Sequence, residues 1–247
     1  MENIALAKNI KFIPGENKNQ GKIEISPLFP GYGITLGNSV RRVLLASLIG
    51  AAPIGIKIKG VNHEFTSIPY IKEDILEIVL NLKKLRLKSF SEEIVKLELD
   101  VHGKKKITAA DINKNSEVKI ANKDLFICEI TDMAGNLNME ILIAKGRGYD
   151  TIEGRKGADE KNKDINYIEM DSIFTPVLKI GVNIENVRVG KMTNWDKLII
   201  DLETDGTVSP EEAYEEAVRI LIKQFKAVKK IGGSTAAKTT EDKPEEK

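Results

Sequence analysis

Residues 30–42 read PGYGITLGNSVRR, with three glycines directly before an apolar run that has helical spacing. A short strand-like stretch, KIEIS, precedes them at residues 22–26. A strand, glycines and a helix in this order suit either a phosphate-binding loop or a turn that begins a helix. The choice between the two decides whether the chain is interpreted as a nucleotide enzyme.

The spacing of the glycines argues against a nucleotide loop. Gly31, Gly33 and Gly37 follow the pattern G-x-G-x-x-x-G, one residue longer than the dinucleotide motif. No Lys-Ser or Lys-Thr pair follows, and the next strand, IGIKIKG, has no acidic residue at its end to hold a ribose. We therefore expect a turn at Gly31 and Gly33, with close backbone approach at Gly37. Thr35 is the expected cap of the helix.

The helix predicted over residues 35–49 has an unusual outer side. At 100° per residue, the sector expected to be buried contains Leu36, Val40, Val43, Leu44, Ser47 and Leu48. The opposite side carries Asn38, Arg42, Leu45 and Ile49, with Arg41 at the boundary. Apolar residues beside arginine on a non-core face are typical of a protein–protein contact. They also fit a helix enclosed within its own domain, and the sequence leaves both possibilities open.

Two more helices and many strands are predicted. Residues 71–85 place one apolar stripe on a helix, formed by Ile71, Ile75, Ile78, Leu82 and Leu85. A third helix begins with the capping box of Ser209 and Glu212 around Pro210 and continues to about residue 230. Its apolar sector is wide enough to be covered on two sides, by its own sheet and by a partner subunit.

Alternation of apolar and polar residues predicts mostly antiparallel strands. The alternating sets are Ile54, Ile56 and Ile58; Val95, Leu97, Leu99 and Val101; Leu137, Met139, Ile141 and Ile143; Leu178, Ile180, Val182 and Ile184; and Leu198, Ile200 and Leu202. Few helices among many strands, without β-α-β alternation, indicate an α+β fold. Residues 146–164 are expected to form a surface loop, and residues 232–247 a disordered tail or linker.

Composition and the remaining polar residues favour an interaction module over a catalyst. The 247 residues carry 38 Lys and Arg against 37 Asp and Glu, so no strong field draws the chain to nucleic acid or a membrane. Cys128 is the single cysteine and is expected in the core. His63 and His102 are expected to be ordinary surface or partly buried histidines. We expect a cytoplasmic chain with no catalytic residues, no cofactor-binding residues and no metal ligands of its own.

Several blocks of the sequence resemble the bacterial RNA polymerase alpha subunit in its N-terminal assembly portion. They occur in the family's order, and they are GYGITLGNSVRRVLLASLIGAAP (31–53), GVNHEFTSI (60–68), KEDILEIVLNLKKL (72–85), TAADI (108–112), KGRGYD (145–150), IFTPVLKIGVNIENVRVG (173–190) and WDKLIIDLETDGTVSPEEA (195–213). The resemblance implies a discontinuous dimerisation domain, a sheet with two long helices, at 1–50 and 177–231. It also implies an inserted, mainly β domain at 51–176.

The resemblance also implies partners and contact residues. The first and third helices would pair with their copies in a homodimer through Leu36, Val40, Val43, Leu44, Leu48, Leu221 and Phe225. The beta subunit would contact Asn38, Arg41, Arg42 and Leu45. The beta-prime subunit would contact Lys83 and Met170, although the family usually has a smaller aliphatic residue than Met170. The polymerase complex would then carry out DNA-directed nucleotidyl transfer while this chain scaffolds its assembly.

Two departures from the family and two alternative functions accompany this hypothesis. Phe29 and Pro30 stand where the family commonly has Glu-Arg, which puts any ion pair of that turn in doubt. The usual C-terminal DNA-binding domain is also expected to be missing, either by truncation or by evolution.

One alternative is a small nucleotide-binding enzyme that uses residues 31–37. The other is direct DNA binding through the basic run at residues 104–106.

Overall fold

The computed structural model describes residues 4–61, 63–155 and 167–229. In chain order their elements are β1 (Asn9–Pro14), β2 (Gln20–Leu28), α1 (Tyr32–Ala46), β3 (Ile49–Ile58), α2 (Ile75–Leu82), β4 (Leu87–Ser89), β5 (Val95–His102), β6 (Lys105–Thr108), a 3-10 helix (Ala109–Asp111), β7 (Val118–Ile120), β8 (Phe126–Ile130), β9 (Asn136–Arg147), β10 (Tyr149–Asp150), α3 (Ile152–Arg155), β11 (Ile168–Glu169), β12 (Ser172–Ile173), β13 (Val177–Val189), β14 (Met192–Thr204) and α4 (Pro210–Val228). Mostly antiparallel sheets with few helices confirm the predicted α+β class.

The two ends of the chain fold together into what we call the terminal unit, made of β1, β2, α1, β13, β14 and α4. Its antiparallel sheet has the strand order β1-β2-β14-β13. α1 and α4 contact each other and this sheet. The shared core consists of Ile23, Ile25, Leu28, Val40, Leu44, Leu48, Val177, Leu198, Ile200, Leu202, Ala213 and Ala217.

The described residues between Ile49 and Ile173 form a second body with its own core, which we call the central unit. Its main sheet has the order β5-β9-β3-β4-β7, with β11 paired to β3, and β6 and β8 form a separate two-stranded sheet. α2 packs its apolar stripe into this core together with alternate residues of β5 and β9. The chain passes from α1 into β3 at Ile49 and returns to the terminal unit at Val177. The domain boundaries inferred from the sequence stay a prediction.

The predicted alternation is confirmed most clearly in the central unit. All four apolar positions of β5, and all four of β9, are buried, while the residues between them face outward or are half-buried. β13 differs, because Leu178 and Ile184 are 50% and 38% exposed. β13 is an edge strand that pairs with β14 alone, so less of its surface is covered.

The helix predictions are confirmed in position, with differences at the ends. α4 begins as expected, since Ser209 Oγ accepts a hydrogen bond from the Glu212 amide at 3.2 Å and Glu212 Oε2 accepts one from the Ser209 amide at 3.1 Å. α2 is shorter than residues 71–85, although all five stripe residues are buried. α1 begins at Tyr32, three residues before the predicted start.

The loop predicted at residues 146–164 is partly structured. Gly146 and Arg147 end β9, and β10 and the short α3 follow directly. The rest of that predicted loop beyond residue 155, and the predicted tail at 232–247, lie outside the described residues. None of the helices in the described ranges is both long and apolar enough to span a lipid bilayer.

Candidate protein–protein interface

The start of α1 is held by a carboxylate from the far end of the chain. Gly31 occupies the N-cap position with φ 85°, and no side chain of its own segment caps the helix. Asp196 Oδ2 instead accepts hydrogen bonds from the backbone amides of Gly31 and Gly33, each at 2.9 Å. The predicted cap at Thr35 is therefore wrong, and its hydroxyl lies 3.4 Å from the Gly31 carbonyl oxygen.

Two glycines bring α1 close to the sheet. A Cβ on Gly33 would lie 2.9 Å from Asp196 Oδ2, and one on Gly37 would lie 2.7 Å from Val182 Cγ1 and 3.0 Å from Leu198 Cδ1. Such distances are shorter than normal van der Waals contacts. The close backbone approach predicted for Gly37 is confirmed, and Gly33 serves the same purpose.

The buried stripe of α1 is narrower than the sequence predicts. It consists of Gly33, Gly37, Val40 and Leu44. Leu36, expected to be buried, is 38% exposed, because the helix meets the sheet most closely along the line of Gly33 and Gly37, to one side of Leu36. Val43 is half-buried at the margin of the core.

The side of α1 that points away from the sheet is well exposed. We call it the outer face of α1, and it consists of Ile34, Asn38, Arg41, Arg42 and Leu45. The four residues predicted to contact a beta subunit all belong to it. Leu45 and Ile34 are 38% and 58% exposed. Ile49, predicted on the same side, is 56% exposed but begins β3, because α1 ends at Ala46, three residues before the predicted end. Ile34 was missed because the predicted helix began one residue later.

The residues predicted to form a dimer interface fall into two groups. Val40, Leu44 and Leu48 are at most 5% exposed and pack within their own protomer, so direct contact with a partner does not agree with this burial. The helical wheel placed them on the core side, and the sheet of the same chain covers them. The remaining four, Leu36, Val43, Leu221 and Phe225, keep exposed surface.

α4 adds a second exposed apolar strip. Ile222, Phe225 and Val228 are 48%, 65% and 69% exposed, and we call these three residues the α4 strip. They follow each other at intervals of three, which places them on neighbouring turns of one side. Ile222 was absent from the predicted set, because its position lies beyond the apolar sector drawn from the sequence alone.

The two residues predicted to contact a beta-prime subunit have different surroundings. Lys83 Nζ lies 3.5 Å from Asp171 Oδ2, and both side chains are about 30% exposed. The hydrogen bond from the Ile152 amide, followed by Lys83, lowers the pKa of Asp171 below its ordinary value. Met170 is 1% exposed, so its side chain offers no surface, and the contact predicted there needs correction. Asp171, next to it, is the accessible group.

The alternatives that involve ligands find little support in this geometry. The amides of Gly31 and Gly33 that would cradle a phosphate are already bonded to Asp196. Within residues 4–61, 63–155 and 167–229, no group of three or more His, Cys, Asp or Glu side chains could hold a metal ion. Burial, and secondarily Glu73, raises the pKa of Cys128 to about 12, which agrees with a core thiol.

The other polar residues singled out in the sequence lie at the surface. His63 and His102 are both exposed, as predicted. The basic run at 104–106 is exposed too, but Lys105 belongs to β6 and forms an ion pair with Asp111. Because Lys105 is paired with Asp111, only Lys104 and Lys106 of this run would be left to contact DNA.

Comparison with known proteins gives the family. Residues 56–175 match the family model described as the RNA polymerase Rpb3/RpoA insert domain. The DNA-directed RNA polymerase subunit alpha of Oceanobacillus iheyensis is 46% identical over 206 residues, which cover 83% of this chain and 64% of that protein. The same subunit of Carboxydothermus hydrogenoformans is 46% identical over 209 residues, covering 85% and 66%.

The chain belongs to the bacterial RNA polymerase alpha subunit family. It spans slightly less than two thirds of the length of these two relatives. The family model covers most of the central unit, from β3 to just before β13. The outer face of α1 and the α4 strip lie outside that matched segment, in the terminal unit.

The turn before α1 shows how this alpha-family chain accommodates Phe29 and Pro30. The Phe29 ring packs edge-on against Trp195, with ring centroids 5.8 Å apart, and against Tyr32 at 6.1 Å. Edge-to-face pairs at such distances are favourable. Ring contacts of Phe29 therefore stabilise this turn, in which the family commonly has Glu-Arg.

Proposed function

We propose that this chain is a non-catalytic alpha subunit of DNA-directed RNA polymerase. It homodimerises and scaffolds the assembly of the beta and beta-prime subunits, whose complex carries out DNA-templated nucleotidyl transfer. The observation that carries this proposal is an apolar and arginine-containing helix face left uncovered in a chain of the alpha family. Family membership supplies the kind of assembly, and the exposed surface supplies the sites at which it would form.

Dimerisation is supported by apolar area on α1 and α4 that the protomer does not cover. Leu36 lies on one flank of α1, and the α4 strip lies on the helix that α1 contacts. Monomeric proteins seldom leave neighbouring helices with several large apolar side chains uncovered. A second copy would cover the same residues in both protomers, as a two-fold interface requires.

Capture of the beta subunit is assigned to the outer face of α1. Arg42 and Leu45 lie three residues apart on this face, and both are exposed. Arginine beside an aliphatic residue is a frequent combination at the centre of protein interfaces. Contact with beta-prime is assigned to Lys83 together with Asp171, whose side chains form one polar site at the surface.

The experiment compares Arg42→Ala with Arg188→Ala, a control at an exposed arginine near the end of β13. Sedimentation equilibrium measures dimerisation, and capture of purified beta subunit measures assembly. We expect both variants to remain folded dimers, and Arg42→Ala alone to weaken capture by about tenfold or more.

Three results would contradict the proposal. The first is a wild-type chain that stays monomeric at micromolar concentration, and the second is a wild-type chain that captures no beta subunit. The third is an Arg42→Ala variant that captures beta as well as Arg188→Ala does. Binding of ATP or NAD to the isolated chain would favour the nucleotide enzyme, and a salt-dependent shift of duplex DNA would favour direct DNA binding.

A further inference from the structure

We propose that Asp196 is a positioning residue for the outer face of α1. Its carboxylate, carried on β14, fixes the first turn of α1 and thereby the direction in which Arg42 and Leu45 face a partner. The identity of that partner rests on the proposed function. The anchoring of α1 by Asp196 does not.

No side chain of its own segment satisfies the first turn of α1, where the one local bond runs from the Tyr32 amide to the Phe29 carbonyl oxygen at 3.0 Å. The N-cap is a glycine, no side chain in the segment caps the helix, and the first turn contains no acidic residue. The first four amides of any helix lack partners within the helix, and the helix dipole makes this end positive. The Asp196 carboxylate supplies both an acceptor and a negative charge at this end.

Asp196 is suited to a fixed role because it is buried. It is 7% exposed, and its Oδ2 atom accepts two amide hydrogen bonds of 2.9 Å each. A buried carboxylate is unfavourable unless it is hydrogen-bonded, so the side chain and the two amides stabilise each other. Rotation of α1 away from the sheet would leave a buried charge without donors.

The sheet is shaped to bring this carboxylate to the helix. The register of β2 and β14 shifts between the pairs Asp196–Leu28 and Leu198–Ile25, with the extra residue on β2. Such bulges redirect side chains and the chain that follows. Here the bulge lies just before the turn into α1, while Leu198 on the same strand packs against the Gly37 position.

Aromatic contacts hold both sides of the same anchor. Trp195 directly precedes Asp196, and its ring meets the edge of Phe29. Tyr32, in the first turn of α1, also packs edge-to-face with Phe29. The turn before the helix and the strand that carries the carboxylate are therefore joined by ring packing as well as by hydrogen bonds.

Small rotations at this anchor would be magnified at the partner-binding residues. Leu45 is twelve residues after Gly33, which corresponds to about 18 Å along a helix. A rotation of about 10° at Gly33 would displace Leu45 by about 3 Å, more than a packed interface tolerates. Fixing the first turn therefore acts together with the packing of Val40 and Leu44 to set the direction of the outer face.

The test compares Asp196→Asn and Asp196→Ala with two controls. Asp201→Asn removes an exposed carboxylate on the same strand, one that pairs with Lys22 at 3.6 Å. Ser209→Ala removes the cap of α4 and lowers stability without touching α1. The measurements are amide hydrogen exchange at Gly31 and Gly33, emission of Trp195, which is the single tryptophan, and capture of purified beta subunit.

We expect exchange at both glycine amides to accelerate by about tenfold or more in Asp196→Ala. The increase should be smaller in Asp196→Asn, whose amide oxygen can still accept a hydrogen bond. Trp195 emission should shift in both variants, and capture of beta should weaken in the same order. Asp201→Asn should match the wild type, and Ser209→Ala should leave the glycine amides protected.

The inference is overturned if folded Asp196 variants keep both the protection of the glycine amides and the capture of beta. It is also overturned if capture falls equally in Ser209→Ala, since global stability would then explain the loss. Should Asp196→Ala not fold, rapid exchange of Gly31 and Gly33 in the wild-type chain would refute the anchor by itself. A wild type that captures no beta subunit contradicts the proposed function and leaves exchange and emission to decide on Asp196.

Discussion

The Asp196 carboxylate accepts a hydrogen bond from the Gly33 amide at 2.9 Å, although 163 residues separate the two in the chain. The bond joins β14 to the first turn of α1, and so connects the two chain segments that make up the terminal unit. Because α1 has no cap of its own, a change on either side of this bond should alter the other.

The first prediction concerns Gly33. Gly33→Ala should destabilise the chain by about 1–3 kcal/mol, because the new Cβ would meet Asp196 Oδ2 at 2.9 Å and Ile184 Cγ2 at 3.2 Å. Alanine gains only roughly 0.5–1 kcal/mol over glycine as a helix former, so the clash should dominate. Urea denaturation measures the free energy of unfolding.

The control for this change is Gly181→Ala in β13. Its Cβ would lie 3.6 Å from the Asp201 side chain, which is ordinary contact, and should cost little. Equal stability of the Gly33 and Gly181 variants would show that α1 can move away from the sheet freely.

The second prediction separates two adjacent leucines of α1. Leu44 is fully buried, so Leu44→Ala should lower the free energy of unfolding by about 2–5 kcal/mol. Leu45→Ala should cost less than about 1 kcal/mol, because Leu45 is 38% exposed, yet it should weaken capture of the beta subunit. Denaturation and capture assays on the same samples test both statements. A larger stability loss at Leu45 than at Leu44 would reverse the assignment of the helix faces.

The third prediction concerns the α4 strip. Phe225→Ala should raise the dimer dissociation constant by about tenfold or more, while the thermal stability of the protomer changes little because Phe225 is 65% exposed. Phe90→Ala serves as the control, since Phe90 is 60% exposed in the central unit. Sedimentation equilibrium measures both. If the two variants dimerise alike, the α4 strip is not part of the interface.

The fourth prediction is a pH dependence at the start of α4. Hydrogen bonds with the Ser209 amide and then its hydroxyl lower the pKa of Glu212 from 4.5. A lowered pKa means that the stabilisation is fully present above pH 4.5 and is lost as the pH falls through the folded-state pKa. Glu212→Gln should therefore reduce the loss of stability in this acidic range, as measured by denaturation between neutral pH and pH 3 or so. An unchanged acid profile would show that the capping box contributes nothing there.

The fifth prediction concerns Cys128, the single cysteine. It is fully buried on β8, and burial raises its pKa to about 12. A thiol reagent should therefore modify the native protein only as fast as the central unit opens, and should react at once in denaturant. Rapid modification of the native chain would show that β8 is exposed in solution.

Local signals in the sequence were sufficient for the elements that depend on neighbouring residues. The capping box of α4, the stripe of α2 and the alternation of β5 and β9 were all predicted, because each depends on contacts within a few residues or on a simple period. The helical wheel also placed Arg42 and Leu45 on the side of α1 away from the core.

The tertiary structure decided what distant residues do to one another. Two findings join residues that lie far apart in the sequence, namely the capping of α1 by Asp196 and the pairing of Lys83 with Asp171. Two others, the exposure of Leu36 and the burial of Met170, depend on how closely the elements pack. Periodicity assigns a residue to a side of an element, but only packing determines how much of that side another element covers. The order of elements and their faces thus follow from the sequence, whereas the area left for partners follows from the folded chain.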